Sequence, residues 1–255
     1  MYYSEFSVNY AKYGILKDKK WDLAILPWGA TEPHGYHLPY GTDNIISEAI
    51  ACDAAAIAAK EGVNAMVLPP VPFGPQNRGQ VGLPFCIHSS LGTMSCILAD
   101  VVESLRTQGI HKLMIALGHG GDVYGVKALI RDFSVRYPDF DIVSVEYWNL
   151  IEDRLSIFSE PIDDHAGEEE TSLIMHYCPE SVRMDIAGDG ETRPFAIESL
   201  NDKTGWLPRV WDKASKDTGI GNPSKASKAK AEKYLSVILP RIAKLIVEFS
   251  TKDLY

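Results

Sequence analysis

Two patterns of hydrophobic and polar positions alternate along this 255-residue chain. The first is a short, nearly continuous apolar run, typical of a buried strand, and we predict strands at residues 23–28, 64–70, 112–117 and 141–147. The second is helical spacing of apolar residues, which predicts helices at residues 44–60, 92–108, 123–136 and 224–249. Alternation of the two is typical of parallel sheets. The pattern predicts an α/β fold: a single domain, residues 1–255, with a mainly parallel sheet flanked by helices on both faces.

Two long segments fit neither pattern. Residues 71–90 contain three glycines and three prolines, and loops of this length often cover a site. This loop holds Arg78 and His88, to which the sequence assigns no role. The aromatic-rich segment 188–211 reads as a loop that forms a subunit contact or a flap. In the last helix, Pro240 predicts a kink or a break.

The loop between the first strand and the first long helix is dense in metal-ligand side chains. Glu32 and His34 are two residues apart, so in an extended backbone both project to the same side. Asp43 stands where the helix begins, where the field of the helix N-terminus keeps a carboxylate ionised and able to bridge two cations. Each residue alone is better explained as a cap or a loop side chain. Together they indicate a functional site.

Two later segments add side chains of the same kind. His119 follows the third strand in LGHGGD, at the carboxyl end where open α/β sheets bind ligands. The glycines around it let a ligand approach the backbone closely, although an ordinary glycine turn would look the same. Residues 163–172 read DDHAGEEETS and open an apolar helix; an acidic first helical turn is the simpler explanation of this stretch alone.

These motifs resemble those of the creatininase family of metal-dependent amidohydrolases. PWGATEPHGYHLPYGTD is similar to the family signature, GHGGD to its GHGGN with Asp122 in place of Asn, and HAGEEETS to its HAGExETS. The resemblance implies four metal ligands: Glu32, His34, Asp43 and His119. Creatinine-hydrolysing members have a further glutamate ligand two positions after the histidine, where this chain has Gly121. Helical spacing favours Glu168 for the vacant place, on the same face as His165, with Glu170 as the less favoured candidate.

The resemblance also implies two divalent ions per chain, and the ligand types suit Zn, Mn or Fe. One ion would be held by Glu32, Asp43 and His119. The other would be held by His34, Asp43 and Glu168. A hydroxide bridging the two ions would attack the carbonyl carbon of an amide.

Further roles follow from the same resemblance. His165 would protonate the leaving nitrogen and Asp164 would orient it. Trp148, Gly120 and Gly121 would contact the substrate.

The implied substrate is a small non-peptide amide, a cyclic amide or a formamide. Creatinine itself is disfavoured, because Gly121 and Pro161 replace two residues of the creatinine-hydrolysing members. A modified peptide precursor is an alternative substrate. A non-catalytic protein that keeps the metal pocket for ligand binding or assembly is an alternative of another class. A two-metal phosphoesterase is less favoured, since no Arg or Lys belongs to the motifs.

The amino-acid composition of the chain limits the classes of partner that we expect. Thirty-four acidic and 25 basic residues give a net charge of −9, which disfavours nucleic acid and anionic membranes. No apolar stretch approaches the roughly 20 residues of a membrane span, and MYYSEFSVNY lacks the features of a signal peptide. The four cysteines form no CxxC pair, which suits free thiols in a reducing compartment. We expect a cytoplasmic protein, and the resemblance implies a homo-oligomer, commonly a hexamer.

Overall fold

A four-stranded parallel sheet forms the centre of the computed structural model, which describes residues 4–255. Residues 1–3, part of the N-terminal stretch considered above, lie outside this range. The strands are β1 Leu23–Trp28, β2 Ala65–Val67, β3 Lys112–Leu117 and β4 Asp141–Glu146. They lie in the order β2-β1-β3-β4, and every pairing is parallel. β1 and β3 have their predicted bounds, whereas β2 is shorter, because Pro69 and Pro70 lack the N–H that a strand needs.

Four of the helices follow the predicted bounds to within a few residues. The helices are α1 Tyr13–Leu16, α2 Thr42–Ala59, α3 Leu91–Thr107, α4 Asp122–Arg136, α5 Glu168–Tyr177, α6 Glu198–Asn201, α7 Trp211–Ala214 and α8 Lys228–Thr251. α8 begins later than predicted, because the side chain of Ser227 caps it by accepting a hydrogen bond from the Lys230 N–H. It continues as one helix through Pro240.

The sheet is covered on both faces, as predicted. Successive side chains of a strand point to opposite faces, so Leu23 and Ile25 of β1 pack with α2, α5 and α8. Ala24, Leu26 and Trp28 pack on the other face with α3 and α4. All six residues of β1 are buried. Such a strand reads as a continuous apolar run because it has no solvent face.

The carboxyl ends of β1 and β3 meet at one edge of the sheet. The Gly118 N–H donates a hydrogen bond to the Trp28 carbonyl oxygen over 2.7 Å, which extends the pairing by one residue. α2 begins directly against this junction: a Cβ on Gly118 would clash with the Asp43 carbonyl oxygen. The loop after β1, the start of α2 and the loop after β3 are therefore held together.

Within residues 4–255, no helix combines the length and the apolar character needed to cross a membrane.

Candidate metal centre

The first group of ligand-type side chains joins the loop after β1, the start of α2 and the loop after β3. His119 Nδ1 lies 3.0 Å from Glu32 Oε1 and 3.3 Å from Asp43 Oδ2. All three side chains are buried. His119 Nε2 donates a hydrogen bond to the Pro75 carbonyl oxygen over 3.1 Å, which presents Nδ1 to the carboxylates. The group has the composition that the sequence suggested for one ion.

A second group lies on the other side of Asp43. His34 Nε2 lies 2.8 Å from Asp43 Oδ1 and 3.9 Å from Glu170 Oε2. His34 Nδ1 donates to the Glu32 carbonyl oxygen over 3.1 Å, so Nε2 is the atom turned into the group. The two oxygens of Asp43 thus face two different groups, which is the arrangement that a bridging carboxylate requires.

His165 completes the cluster. Its Nδ1 lies 3.6 Å from Glu32 Oε1, and its ring centroid is 4.1 Å from that of His34. Nε2 donates to the Pro33 carbonyl oxygen over 2.8 Å, and the edge of the Trp211 indole packs against the ring. Glu32, His34 and His165 form a third group with metal-binding geometry. His165 is therefore placed either to bind an ion or to move a proton beside one.

The donor set fits divalent cations. In each of the three groups the possible ligand atoms lie within 4.8 Å of one another. Among the described residues, Glu32 Oε1 and Asp43 Oδ2 are buried and have no hydrogen-bond donor. A buried carboxylate oxygen without a partner is costly, and a cation between these atoms and the histidine nitrogens would satisfy both.

Attraction between the carboxylates and the histidines determines which groups of the cluster are charged. Burial alone would raise the pKa of the Asp43 carboxyl, but His34 and His119 hold that pKa well below its usual value. Burial would likewise lower the pKa of His34, but Asp43, Glu170 and Glu32 raise it to about 10. The protein alone therefore holds protons on nitrogens that would have to be neutral to bind an ion. Cation binding here releases protons.

His165 behaves differently from the other two histidines. Burial lowers its pKa, and the positive charge of His34 lowers it further, against the opposing effect of Glu32. His165 is thus a neutral imidazole near pH 7. With Nε2–H donated to Pro33, its Nδ1 carries the free lone pair.

The structure does not bring Glu168 to the cluster. Its Oε2 accepts hydrogen bonds from the N–H groups of Ser159 and Glu160, over 2.6 and 2.8 Å, and its Oε1 pairs with Lys230. Glu170 reaches His34 instead. The helical spacing from His165 does not apply, because α5 begins only at Glu168.

The backbone before α5 explains this difference. Ala166 has φ +52°, and Gly167 has φ −90° and ψ −149°. His165 itself pairs with Ile220, whose N–H donates to the His165 carbonyl oxygen over 2.7 Å. The chain is therefore extended at His165 and turns before the helix starts.

Asp164 is also placed differently from the expectation. Its side chain is 54% exposed and pairs with Arg209 at the surface. The orientation of His165 comes from the Pro33 carbonyl oxygen instead. In an extended backbone, neighbouring side chains point to opposite sides, so Asp164 and His165 diverge.

The three residues assigned to substrate contact have different surroundings. Trp148 stacks edge-on against Tyr147, with ring centroids 5.0 Å apart, and packs against both hydrophobic cores. Gly120 is exposed beside open space. A Cβ on Gly121 would clash with His119 Nε2, so Gly121 is needed for the position of that histidine. Substrate contact by these residues stays a prediction.

Sequence reasoning missed the contribution of the loop at 71–90. Its Pro75 carbonyl oxygen accepts from His119, and Gln80 Nε2 donates to Glu32 Oε2 over 2.8 Å. Neither residue belongs to a local pattern of metal ligands. The only signal was the length of the loop, which does not say which side chains turn inward.

A family model described as creatinine amidohydrolase matches residues 10–246, nearly the whole chain. The chain belongs to the creatininase family.

Relatives of known name differ in substrate. Over 217 residues the chain is 28% identical to the mycofactocin precursor peptide peptidase of Mycolicibacterium smegmatis, covering 84% of this chain and 80% of that protein. It is 26% identical over 246 residues to the 3-dehydro-scyllo-inosose hydrolase of Thermotoga maritima, covering 89% and 78%. It is 25% identical over 244 residues to the creatinine amidohydrolase of Pseudomonas putida, covering 89% of each. The family is one of hydrolases with unlike substrates.

Solved structures show the same fold. The crystal structure of a Bacteroides fragilis protein, provisionally assigned as a creatinine amidohydrolase, matches with a TM-score of 0.95 at 49% identity over 99% of both chains. Creatininase structures of a Zn–Zn type and with Mn match with a TM-score of 0.76 at 22% and 21% identity, over 98% of this chain and 100% of theirs. At that identity the similarity concerns the fold.

Proposed function

We propose that this protein is a binuclear metal-dependent amidohydrolase that cleaves a C–N bond in a small non-peptide amide, a cyclic amide or a formamide. The observation that carries the proposal is the division of the Asp43 oxygens between two ligand groups with His165 beside both. A carboxylate shared between two groups in this way could hold two ions together, as two-metal hydrolases require.

The residues divide naturally into two ion sites. One ion would be held by Glu32, Asp43 and His119, and the other by His34, Asp43 and Glu170. Glu170 replaces Glu168 in the ligand set expected from the sequence. Zn or Mn fits this mixture of imidazole and carboxylate. When bound, such ions would supply Lewis-acid activation of water and of the substrate carbonyl.

His165 supplies the proton transfer in this proposal. Its neutral Nδ1 faces Glu32 Oε1 at 3.6 Å, so it can take a proton from the attacking water at that edge of the cluster. It then delivers the proton to the leaving nitrogen. The Pro33 carbonyl oxygen holds the ring by accepting from Nε2–H, and the Trp211 indole shields one edge of the ring.

A modified peptide precursor is the second candidate substrate. The similarity to a mycofactocin precursor peptide peptidase favours it. Creatinine remains disfavoured, because Gly121 and Pro161 stand where the creatinine-hydrolysing members carry other residues. We further propose, from the family resemblance, that the protein acts in the cytoplasm as a homo-oligomer. A monomer in light scattering at micromolar concentration would contradict the last point.

The function is tested by metal analysis followed by a screen of amides, formamides and short modified peptides. We expect up to two Zn, Mn or Fe ions per chain after reconstitution and hydrolysis of at least one amide. The His165→Ala variant should keep its ions while kcat falls about 10²–10⁴-fold. Failure of the reconstituted protein to retain any transition metal would rule out the proposal.

A further inference from the structure

Gln80 lies beside the cluster and contacts one of its carboxylates. The residue is 1% exposed, and its Nε2 donates a hydrogen bond to Glu32 Oε2 over 2.8 Å. The other oxygen, Glu32 Oε1, faces His119 Nδ1 at 3.0 Å, inside the group formed with Asp43. The two oxygens of Glu32 are therefore distinguished by Gln80: the amide holds Oε2, and Oε1 is turned towards the group that could hold a cation.

The orientation of the Gln80 amide is fixed by its own turn. Gln80 Oε1 accepts a hydrogen bond from the Asn77 N–H over 3.2 Å, and the Gln80 N–H donates to the Asn77 carbonyl oxygen over 3.1 Å. An amide oxygen cannot donate, so the opposite amide orientation would lose both side-chain hydrogen bonds. Nε2 is thus the atom that meets Glu32.

The turn that carries Gln80 is held against α7. The Trp211 N–H donates to the Arg78 carbonyl oxygen over 2.8 Å. Gly79 has φ +90°, and a Cβ there would clash with Asp212, so only glycine allows this close approach. The Leu83 N–H donates to the Gln80 carbonyl oxygen over 2.8 Å, so the backbone is held on both sides of Gln80 and its side chain has little freedom to leave Glu32.

We propose that Gln80 is a positioning residue for the metal centre. Its amide fixes the rotation of the Glu32 carboxylate, so that Oε1 faces the site formed with Asp43 and His119. The inference rests on the proposed function, because it concerns the affinity of that site for a cation. Without the amide donor, Oε2 would be buried without a partner and the carboxylate would rotate. The site formed by His34, Asp43 and Glu170 takes none of its three ligands from Glu32, whose Oε1 lies 3.9 Å from His34 Nε2, and should depend on Gln80 much less.

The expected difference between the two sites in their dependence on Gln80 can be tested in variants that each keep one site. The Glu170→Gln background keeps the Glu32 site, and the His119→Ala background keeps the other site. Gln80→Met removes the donor at nearly constant length, and Gln80→Leu serves as a second variant should the methionine variant fail to fold. Gln108→Met, at the exposed end of α3, is the matched control. Zn²⁺ dissociation constants are measured by competition with a chromophoric chelator, and the site is also followed by the visible spectrum of bound Co²⁺.

In the Glu170→Gln background, Gln80→Met should raise the Zn²⁺ dissociation constant about 10–100-fold and change the Co²⁺ spectrum. In the His119→Ala background, the same substitution should change both much less, and Gln108→Met should change neither in either background. Equal loss in both backgrounds, or no loss in the first, would overturn the role of Gln80. Absence of Zn²⁺ binding by the unsubstituted protein would overturn the proposed function itself, and this inference with it.

Discussion

Glu168 and Glu170 lie two residues apart in the first turn of α5, yet they meet different partners. Glu168 accepts two backbone N–H groups and pairs with Lys230, whereas Glu170 faces His34 and Asp43. Burial raises the pKa of Glu170 to about 8, with Asp43 adding to the effect and His34 opposing it. Glu168 therefore stabilises the fold, and Glu170 belongs to the proposed metal centre.

The two glutamates should therefore give opposite results when each is replaced by glutamine. Glu170→Gln should lose one ion per chain and, with it, only the stability which that ion supplies, so in the presence of a chelator its unfolding free energy should equal that of the unsubstituted protein. Glu168→Gln should keep both ions and lose about 3 kcal/mol of unfolding free energy, because it removes the buried carboxylate charge that pairs with Lys230 and accepts two backbone N–H groups. Elemental analysis and urea denaturation measure the two effects. Ion loss in Glu168→Gln with full occupancy in Glu170→Gln would reverse the assignment.

His37 is a buried histidine outside the ligand groups. Its Nε2 donates to Thr171 Oγ1 over 2.9 Å. Burial lowers its pKa from 6.5 to about 4, and the charge of His34 contributes, while Asp217 opposes the shift. The unfolded chain takes up a proton here as the pH falls below 6.5, and the folded protein does not. Stability from this residue is thus complete above pH 6.5 and is lost as the pH falls towards 4.

The His37→Gln variant keeps an N–H donor but cannot titrate. Its unfolding free energy should fall less between pH 7 and pH 4.5 than that of the unsubstituted protein, by up to about 3 kcal/mol. Urea denaturation at several pH values measures the difference. The surface variant Gln108→Asn, which changes no titratable group, is the control and should keep the original pH dependence. Parallel curves for His37→Gln and the unsubstituted protein would contradict the prediction.

At the scale of elements, the segment 206–211 carries two tryptophans in opposite environments. Trp206 is 71% exposed and meets only the edge of the Tyr124 ring among the ring contacts of the described residues. Trp211 is 6% exposed, packs against His165, and donates from Nε1 to the Thr218 carbonyl oxygen over 3.0 Å. One tryptophan anchors the segment, and the other is available at its surface.

Alanine substitutions at Trp206 and Trp211 should differ in their effect on stability, because only Trp211 is buried. Trp211→Ala should cost about 3–5 kcal/mol of unfolding free energy, the usual cost of truncating a buried tryptophan. Trp206→Ala should change stability by less than about 0.5 kcal/mol. Chemical denaturation of both variants gives the comparison. A similar loss in each would show that the segment is bound along its whole length.

Elements with strong local signals were predictable from the sequence. β1 and β3 are apolar on both faces, so their bounds are visible as uninterrupted runs. The proposed ligands Glu32, His34 and Asp43 lie between the end of β1 and the first turn of α2, and His119 follows β3 closely, so topology alone brings them together. The start of α5 was not predictable in this way. It depends on the pairing of His165 with Ile220, 55 residues later, and no local pattern reports a contact at that distance.

At the scale of the whole molecule, the proposed metal centre joins residues from three segments of the chain: the stretch from β1 to α2, the loop after β3 and the start of α5. Its buried carboxylates and histidines lie between β1, β3, α2 and α5 rather than on a surface loop. Cations that bind only the folded state stabilise it by about 4 kcal/mol per site at a thousandfold excess over the dissociation constant. Ions bound at the proposed sites would therefore contribute a substantial part of the stability of the protein.

Removal of the ions by a chelator should lower the melting temperature by on the order of 10 °C. Differential scanning calorimetry with and without chelator measures the change, and restored Zn²⁺ should reverse it. Asp43→Asn removes the shared ligand of both sites, so its melting temperature should not respond to the chelator. An unsubstituted protein that melts at the same temperature with and without chelator would show that the ions do not support the fold.

The central position of β1 also sets an order of events during synthesis. β1 is made first among the strands, but β3, its partner on one side, begins at Lys112, and His165 is held by Ile220. A growing chain therefore presents Glu32, His34 and Asp43 long before His119 and Glu170 exist. The two proposed ion sites could be completed only when most of the chain has left the ribosome. Binding of metal would thus be a late step, which follows assembly of the sheet rather than guiding it.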